Sequence, residues 1–563
     1  MTTETTLHRL SAVFLAILAM MMVWQFHDQN WWGPDDGAYA HIAERLLKGE
    51  ILNGTIYDIH FGLIHFIHAA SFKIFGTSIV GLRYPLALLT VLQCLIVLWL
   101  FRDSDWLTAL AGGIAMAALT FVQFLNPTAN WYALFATVFL IAAVAWIPRE
   151  AVFRYGVLGG LVMIVIMFRQ LTGGLVAIGL VTYLLCEDNG RSSFRRPILG
   201  RAVLALCALS LGFYLFKTAS PLSILLFGIW PVALIATGWF TCVMSNRAVA
   251  RMSAQLIFGA AVAIAPLLLY HCYHGSLLTW FDDTIYSAFR LVSLPFMDKA
   301  SYAALPLVGM LMTKGVDTGT VINEIFWIAL LLAPVVLGAV TVARSLAVGG
   351  SAPLLAHMAV FFAVVSAHYE IPNYLFYTTA LTLCGLLAVS TGWHKRAQAG
   401  VAVSVLLLAG VGLWSHAGQP FTRGIAGIAA GERALIDKDV LDFRVGLRVA
   451  PADRAFYEWL VPLIMENSTP EESILALPVN PELYFMTKRR NPTRFFNSAL
   501  GLQTDAAVEG LLATLAADPP ALVIFRTNDK YVTPNTLKVV TRVRETYRRF
   551  ASRDGIEVYT RPR

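Results

Sequence analysis

Two adjacent carboxylates, Asp35 and Asp36, follow the first hydrophobic segment of the chain, directly after the pair Trp31-Trp32 and the turn Gly33-Pro34. Carboxylates in such a position can take a proton from a hydroxyl group, cap the helix that follows, or bind a cation. Capping a helix needs only one of the two. Because ionisable residues are rare and usually functional in chains built for lipid, the pair needs an explanation, and chemistry on a membrane-bound substrate is one, for which both acids are candidates.

The rest of the chain is strongly apolar. Of its 563 residues, 57% are hydrophobic and only 14% are charged, which is typical of a polytopic α-helical membrane protein. About thirteen segments are candidate membrane helices. The first has no small-residue cleavage site after it, so we expect it to remain as an anchor. The segments begin near Leu10, Ile79, Trp106, Trp131, Ala151, Leu171, Ala202, Pro221, Gln255, Val321, Pro353, Tyr374 and Val401.

Cations are concentrated in alternate turns between these segments. Loops rich in Lys and Arg face the cytoplasm, so the N-terminus is predicted to be cytoplasmic and the residues after about Trp414 to be outside. These loops also hold much of the net charge of +7. The orientation of the chain in the membrane is therefore enough to account for this positive charge, and nucleic-acid binding is not expected. The cations concerned are Arg102, Arg149, Arg154, Arg191, Arg195, Arg196, Arg201, Arg247, Arg251, Arg344, Lys395 and Arg396.

Three regions are predicted to leave the membrane on the outer side. The loop 28–78 carries two amphipathic helices, the first opened by Asp35 or Asp36 and closed by Gly49, and the second running from Phe61 to Phe75. The region 274–320 has little periodicity. The tail is long enough for a core of its own, so we divide the chain into a membrane domain, residues 1–415, and an extracytoplasmic domain, residues 416–563.

The tail has the alternating pattern of a small α/β domain. No glycine-rich phosphate loop follows its strands, so nucleotide binding is not predicted. All six cysteines lie in or at the ends of the apolar segments, and no disulfide framework is indicated. The predicted helices of the tail are Asp453–Glu466, Pro481–Arg489, Asp505–Ala517 and Pro534–Ala551, and the predicted strands are Ser473–Pro478, Ala521–Phe525 and Ile556–Thr560.

The loop after the first span resembles the first extracytoplasmic loop of GT-C glycosyltransferases, in particular the bacterial relatives of protein O-mannosyltransferases and of the lipid A aminoarabinose transferase. The motifs that carry the resemblance are the acidic pair, Tyr39, Tyr57-Asp58, Ile74-Phe75-Gly76, Arg83-Tyr84-Pro85 and the late segment His368-Tyr369-Glu370-Ile371-Pro372. Many members of this superfamily have Asp-Glu where this chain has Asp35-Asp36. The resemblance therefore does not identify which acid is the base.

The resemblance implies an enzyme of the bacterial inner membrane that moves a sugar from a polyprenyl-phosphate donor to a hydroxyl group of a cell-envelope acceptor, with inversion at the anomeric carbon. Asp35 or Asp36 would take the proton of the acceptor. Cations at the outer span ends, first of all Arg83 and Arg169, would hold the leaving phosphate. The further substrate-binding candidates are Tyr39, Tyr57, Asp58, Lys217, Arg290, His368 and Tyr369.

Two other interpretations remain open. His41, His60, His65 and His68 could bind a metal, or the acidic pair with Asp58 could supply oxygen ligands for a divalent cation. No cofactor beyond such a cation is expected. The chain could instead be a lipid or solute transporter or flippase, although its charges gather at span ends and no repeat relates its halves.

The orientation is tested by reporter fusions. We expect reporters fused after Arg196 and after Lys395 to report the cytoplasm, and a reporter fused after Gly418 to report the outside, because of the distribution of loop cations. An external signal from the Arg196 fusion would overturn the topology and the face on which the acidic pair is expected to act.

Overall fold

The computed structural model describes residues 3–29, 31–187, 198–242, 244–287, 301–305, 318–348, 352–418, 424–429 and 441–562. The chain forms two compact units. Unit 1 comprises Met1–His27, Leu86–Pro266 and Lys299–Ala430, and unit 2 comprises Asp28–Pro85, Leu267–Asp298 and Gly431–Arg563. Unit 2 thus combines the loop that carries the acidic pair with the tail, and the predicted division at residue 415 stays a prediction.

Unit 1 is helical in the part that the structure describes. Together with the two helices that continue into unit 2, it accounts for ten helices that are long and apolar enough to cross a membrane, so the chain is a multi-pass membrane protein. They are Arg9–Phe26, Ile79–Leu100, Trp106–Gln123, Ala129–Trp146, Ile198–Thr218, Pro221–Thr241, Asn246–Tyr273, Val321–Ala347, Pro372–Ser390 and Lys395–Ser415.

Three shorter apolar helices, Arg154–Phe168, Gln170–Cys186 and Leu354–Ala367, complete the set. Every one of the thirteen segments expected from the sequence corresponds to one of these helices. That correspondence confirms the polytopic helical class. Whether the three short helices cross the membrane stays a prediction.

Unit 2 contains a four-stranded sheet with the strand order β1-β2-β4-β3. β1 (Ile474–Leu477) pairs in parallel with β2 (Leu522–Arg526), and β4 (Ile556–Thr560) pairs antiparallel with both β2 and β3 (Arg548–Arg553). The tail is therefore an α/β domain, as predicted. Within the described residues of unit 2, the helices are Gly33–Leu47, Leu63–Phe75, Ile79–Arg83, Leu277–Phe281 with the π-helical turn Asp282–Tyr286, Pro451–Glu466, Pro481–Thr487, Ser498–Gly501, Asp505–Ala517 and Pro534–Thr546.

One predicted helix of the tail was wrong at its C-terminal end. The helix that begins at Pro534 ends at Thr546, and residues 548–553 form the edge strand β3. The reason is the turn Asp554-Gly555, in which both residues have positive φ, 49° and 77°. An Asp-Gly pair of this kind closes a two-residue hairpin, and it returns the chain directly into β4.

The helix Gly33–Leu47, which we call the acidic-pair helix, packs on one face of this sheet. Its buried residues Ala40 and Ala43 share a core with Ile474 and Ile524 of the strands. The alternate strand residues, such as Val523, pack with the helix Pro534–Thr546 on the opposite face. Side chains of a strand alternate between two faces, so the sheet separates two cores, and the acidic pair belongs to the first.

Close packing fixes the acidic-pair helix at Gly37. A Cβ atom at this position would lie 2.5 Å from the backbone nitrogen of Glu482, which is too short for any real contact. We expect Gly37→Ala to lower the stability of unit 2 by about 1–3 kcal/mol, because overpacking forces the backbones apart. Thermal unfolding of the purified protein in detergent measures this.

The matched control is Gly510→Ala. Gly510 lies within the helix Asp505–Ala517, where an added Cβ meets nothing within 4 Å. Alanine is favoured over glycine inside a helix, so this variant should unfold at or slightly above the temperature of the parent. Equal unfolding of the two variants would contradict the packing described at Gly37.

Candidate functional site

Asp36 is buried and has structural partners. Its Oδ2 atom accepts a hydrogen bond of 2.8 Å from the backbone N–H of Trp32, the residue just before the helix, and lies 3.5 Å from Nη2 of Arg83. Both charged side chains are fully buried. Burial raises the pKa of Asp36, while the charge of Arg83 and the N–H of Trp32 act in the opposite direction. Asp36 thus caps the helix and pairs with a buried cation.

Asp35 differs from its neighbour because its side chain is exposed to solvent. Loss of solvation among the surrounding protein atoms raises the pKa of Asp35 to about 6, and the charge of Asp36 adds to the rise, whereas Lys530 lowers it. A carboxyl group with such a pKa is ionised at neutral pH and is a stronger base than an ordinary aspartate. Of the two acids, Asp35 has the accessibility that proton transfer requires.

Arg83 lies in the 3₁₀ turn Ile79–Arg83 that leads into the span. Besides Asp36, it contacts Gln29, whose carbonyl oxygen accepts a hydrogen bond of 2.8 Å from Nη1. The sequence suggested Arg83 as a phosphate ligand. In the structure its guanidinium contacts protein groups, among them Asp36 and the carbonyl of Gln29, and it has no exposed surface. This fits a residue that positions the acidic pair, and a phosphate contact stays a prediction.

The tail contributes ionisable groups that the sequence did not assign to this site. Lys530, in the loop after β2, is near enough to lower the pKa of Asp35. Glu482 lies against Gly37, is fully buried, and accepts a hydrogen bond of 3.2 Å from the hydroxyl of Tyr457. Burial raises the pKa of Glu482 to about 7. No spacing in the sequence connects these residues with Asp35, because more than 400 positions separate them.

A second group of ionisable residues surrounds Asp58. His60 Nδ1 lies 3.1 Å from Asp58 Oδ1, and His65 Nε2 lies 2.8 Å from Oδ2. Burial acts to raise the pKa of Asp58, but the two rings hold it below its usual range. Tyr39, another predicted site residue, packs its ring 5.1 Å from that of His68 and 6.0 Å from that of His65.

The four histidines of the metal hypothesis do not gather together. His41 stacks on Tyr484 at 4.9 Å and lies 3.4 Å from the amide of Asn491. Burial lowers the pKa of His41 well below its usual value. Within the described residues, the group able to share an ion is Asp58 with His60 and His65, and neither Asp35 nor Asp36 belongs to it.

Tyr57 is fixed beside a further buried acid. Its backbone N–H donates to the carbonyl of Arg494 at 2.7 Å, and burial raises the pKa of its hydroxyl to about 12. Arg494 in turn pairs with Asp283 at 2.8 Å, and the amide of Asn53 donates to the same carboxylate at 3.1 Å. These contacts join the loop, the segment after Leu277–Phe281 and the tail within unit 2.

Unit 1 brings together three of its own candidates. Arg169 donates from Nη2 to the hydroxyl of Tyr374 at 3.0 Å and to Nε2 of His368 at 3.4 Å. Nδ1 of His368 donates to the carbonyl of Val365, which leaves Nε2 free to accept. The ring of Tyr369 lies 5.5 Å from that of Tyr374. Nε of Arg169 is buried and has no hydrogen-bond partner within the described residues.

The segment with His368 and Tyr369 is anchored by the next residue. The carboxylate of Glu370 accepts hydrogen bonds from the hydroxyl groups of Ser220 and Ser223 and from the backbone N–H of Tyr302. Lys217 is exposed, with its ammonium 6.0 Å from the ring centre of Phe216. Arg290 lies outside the described residues.

No protein-family model matches the sequence, and a search of curated proteins found no match. Among solved structures, a similar chain is ArnT from Cupriavidus metallidurans bound to undecaprenyl phosphate, at 16% identity and a TM-score of 0.38, with 99% of this chain and 97% of that chain covered. An oligosaccharyltransferase from Archaeoglobus fulgidus is 12% identical at a TM-score of 0.37, with 92% and 68% covered.

The arabinofuranosyltransferase AftD from Mycobacteria is 10% identical at a TM-score of 0.43, with 98% of this chain and 39% of that chain covered. These neighbours are GT-C glycosyltransferases, the superfamily that the sequence motifs resemble. The likeness is distant, so the function has to be argued from the residues of this chain.

The buried ion pair yields a prediction of its own. Removing one partner leaves the other charge buried and uncompensated, which costs about 3–5 kcal/mol. We therefore expect Arg83→Ala to lower the unfolding temperature of the protein in detergent strongly. Arg490→Ala serves as control because its ion pair with Asp518 is exposed at both partners, and such pairs contribute at most about 1 kcal/mol. Similar unfolding of both variants would show that the Arg83 pair does not stabilise the fold.

Proposed function

We propose that the protein is a glycosyltransferase that moves a sugar from a polyprenyl-phosphate donor to a hydroxyl group of a cell-envelope acceptor at the outer face of the bacterial inner membrane. The acceptor is a glycan, a lipid or a protein. The observation that carries the proposal is Asp35, an accessible carboxylate with a raised pKa that lies directly beside a buried acid.

In the proposed reaction, Asp35 takes the proton of the acceptor hydroxyl as its oxygen attacks the anomeric carbon. The bond between that carbon and the phosphate oxygen breaks, and polyprenyl phosphate leaves with the electron pair. A single displacement of this kind inverts the anomeric configuration and needs no covalent enzyme intermediate. A base with a pKa near 6 suits this step, because it is ionised at neutral pH and still has affinity for a proton.

Asp36 has a different role in this proposal. Its Oδ2 atom is occupied by Trp32 and Arg83, so it holds the first turn of the helix in place. Its charge also raises the pKa of Asp35, and Lys530 counteracts that effect. Asp36 and Arg83 are therefore positioning residues, while Asp35 contacts the substrate.

The leaving phosphate requires a cation, and Arg169 is the candidate that unit 1 supports best. Tyr374 and His368 orient its guanidinium. Its Nε–H group donates to none of the described residues and is therefore available to a phosphate oxygen. Arginine binds phosphate oxygens with several donors in a fixed plane. Tyr369, Lys217 and Arg290 remain further candidates for donor contacts.

The alternative is a lipid or solute transporter or flippase. Transport places ionisable groups along a path through the membrane. A raised pKa at an exposed helix start, beside a buried structural acid, is instead the arrangement expected for general-base catalysis. The experiment below separates the two functions.

We expect Asp35→Asn to lower the rate of sugar transfer about a hundredfold to ten-thousandfold, the usual cost of losing a general base, while donor binding persists. In the parent, kcat/KM should fall about tenfold per pH unit below pH 6, where Asp35 becomes protonated. Transfer from a radiolabelled polyprenyl-phosphate sugar by the purified protein measures the rate and its pH dependence, and retention of the same labelled donor by the protein measures donor binding.

Asp36→Asn is the matched variant. Asparagine keeps an oxygen that can accept from Trp32 and Arg83, but it removes the charge that compensates buried Arg83, so we expect the protein to lose stability by up to about 3–5 kcal/mol. Below its lowered unfolding temperature the variant should keep activity. Loss of the neighbouring charge should lower the pKa of Asp35 and move the acid limb of the profile to lower pH. Loss of activity in Asp36→Asn, with Asp35→Asn active, would reverse the two roles, and parental rates in both variants would overturn the glycosyltransferase mechanism and favour transport.

A further inference from the structure

Two imidazoles and one carboxylate form a compact group within residues 58–65. The ligand atoms of Asp58, His60 and His65 all lie within 4.8 Å of one another. His65 and Asp58 are almost completely buried, whereas 22% of the His60 side chain is exposed. The group is therefore closed on the protein side and open at His60.

The conformation of the backbone between Asp58 and His65 brings the three side chains together. Gly62 has a φ of +108° and begins the helix Leu63–Phe75. This left-handed residue reverses the chain directly after His60, so that His65, in the first turn of the helix, returns to Asp58. The backbone N–H of His60 also donates to Asp58 Oδ2 at 3.1 Å, which fixes the carboxylate.

The carboxylate of Asp58 contacts His60 and His65, and its ion pairs among the described residues are with these two rings, not with Lys or Arg. A buried carboxylate needs a positive charge nearby. A divalent cation between the three side chains would provide it. The spacings of 2.8 and 3.1 Å are hydrogen bonds from the rings to the two carboxylate oxygens. Ligand atoms around a tetrahedral ion with bond lengths of about 2.0–2.2 Å lie roughly 3.3–3.6 Å apart, so the group has to widen by less than an ångström to admit the ion.

We propose that Asp58, His60 and His65 bind one Zn²⁺ ion. Two imidazole nitrogens and one carboxylate are ligands of zinc and of similar transition metals, whereas Mg²⁺ and Ca²⁺ prefer oxygen ligands alone. The three side chains fill three of four tetrahedral positions. That leaves a fourth position for water or a substrate oxygen, and solvent reaches the group at the partly exposed His60.

The ion fixes the loop to the helix. It connects Asp58, which follows the buried Tyr57, with the first turn of Leu63–Phe75, and it supplies a Lewis acid at an accessible position. The proposal is independent of the glycosyltransferase assignment, since binding of the ion requires neither donor nor acceptor.

Metal binding to the full-length protein in detergent provides the test. The affinity tag is removed, the protein is dialysed against a chelator, and Zn²⁺ is then titrated alone, with bound metal measured by mass spectrometry and with Co²⁺ absorption as a reporter of tetrahedral geometry. We expect one equivalent per chain in the parent. Loss of a residue that merely supports a metal ligand lowers metal affinity about ten- to hundredfold. Loss of a ligand itself should cost at least as much, so we expect the Zn²⁺ affinity of His60→Ala to fall on the order of a hundredfold.

Two further variants make the outcome decisive. Asp58→Asn keeps the volume of the side chain and should bind as weakly as His60→Ala. His68→Gln is the control, since His68 is a buried histidine of the same helix that lies outside the three-residue group, and it should bind Zn²⁺ like the parent. The proposal is overturned if the parent binds no Zn²⁺, if His60→Ala binds as tightly as the parent, or if Mg²⁺ displaces the ion at equal concentration.

Discussion

The buried pair of Asp36 and Arg83 is the interaction on which the acidic pair depends. Two charges removed from water cost several kcal/mol each, and the cost is offset only when the pair is well placed and its remaining hydrogen-bonding groups are satisfied. Here Trp32 donates to Oδ2 of the carboxylate, and the carbonyl of Gln29 accepts from the guanidinium, while Oδ1 of Asp36 is buried without a hydrogen-bond partner among the described residues. The pair therefore holds the chain entering the acidic-pair helix to the turn that precedes the second long apolar helix.

This constraint explains how neighbouring acids acquire different properties. Successive residues of a helix point about 100° apart, so when Asp36 faces inward to Arg83, Asp35 faces outward. Asp35 remains accessible, yet the protein around it and the charge behind it raise its pKa to about 6. The same rotation that satisfies the buried ion pair thus presents a carboxyl group with a raised pKa to solvent.

The sequence predicted the parts of this structure that rest on local patterns. Apolar length located the long helices, and short apolar runs between the helical segments of the tail located β1, β2 and β4. The sequence did not predict the hairpin at Asp554-Gly555, although an Asp-Gly pair is a local turn signal. The polar segment after Pro534 favoured one continuous helix as far as Ala551. The site was predicted only in part. Lys530, Glu482 and the pairing of Arg83 with Asp36 come together through tertiary packing, and no periodicity encodes contacts between such distant positions.

The tail holds the acidic-pair helix in place through several contacts. Arg45 of that helix donates to the carbonyl of Thr493, Glu44 pairs with Arg444 at 2.8 Å, and Gly37 contacts Glu482. The helix Gly33–Leu47 has only 15 residues, and helices of this length are marginally stable alone. Its rigidity must therefore come from the sheet domain on which it packs. The general-base role that we propose for Asp35 requires a fixed direction toward the substrate. In that proposal the tail, although distant in sequence from Asp35, holds the helix that orients it.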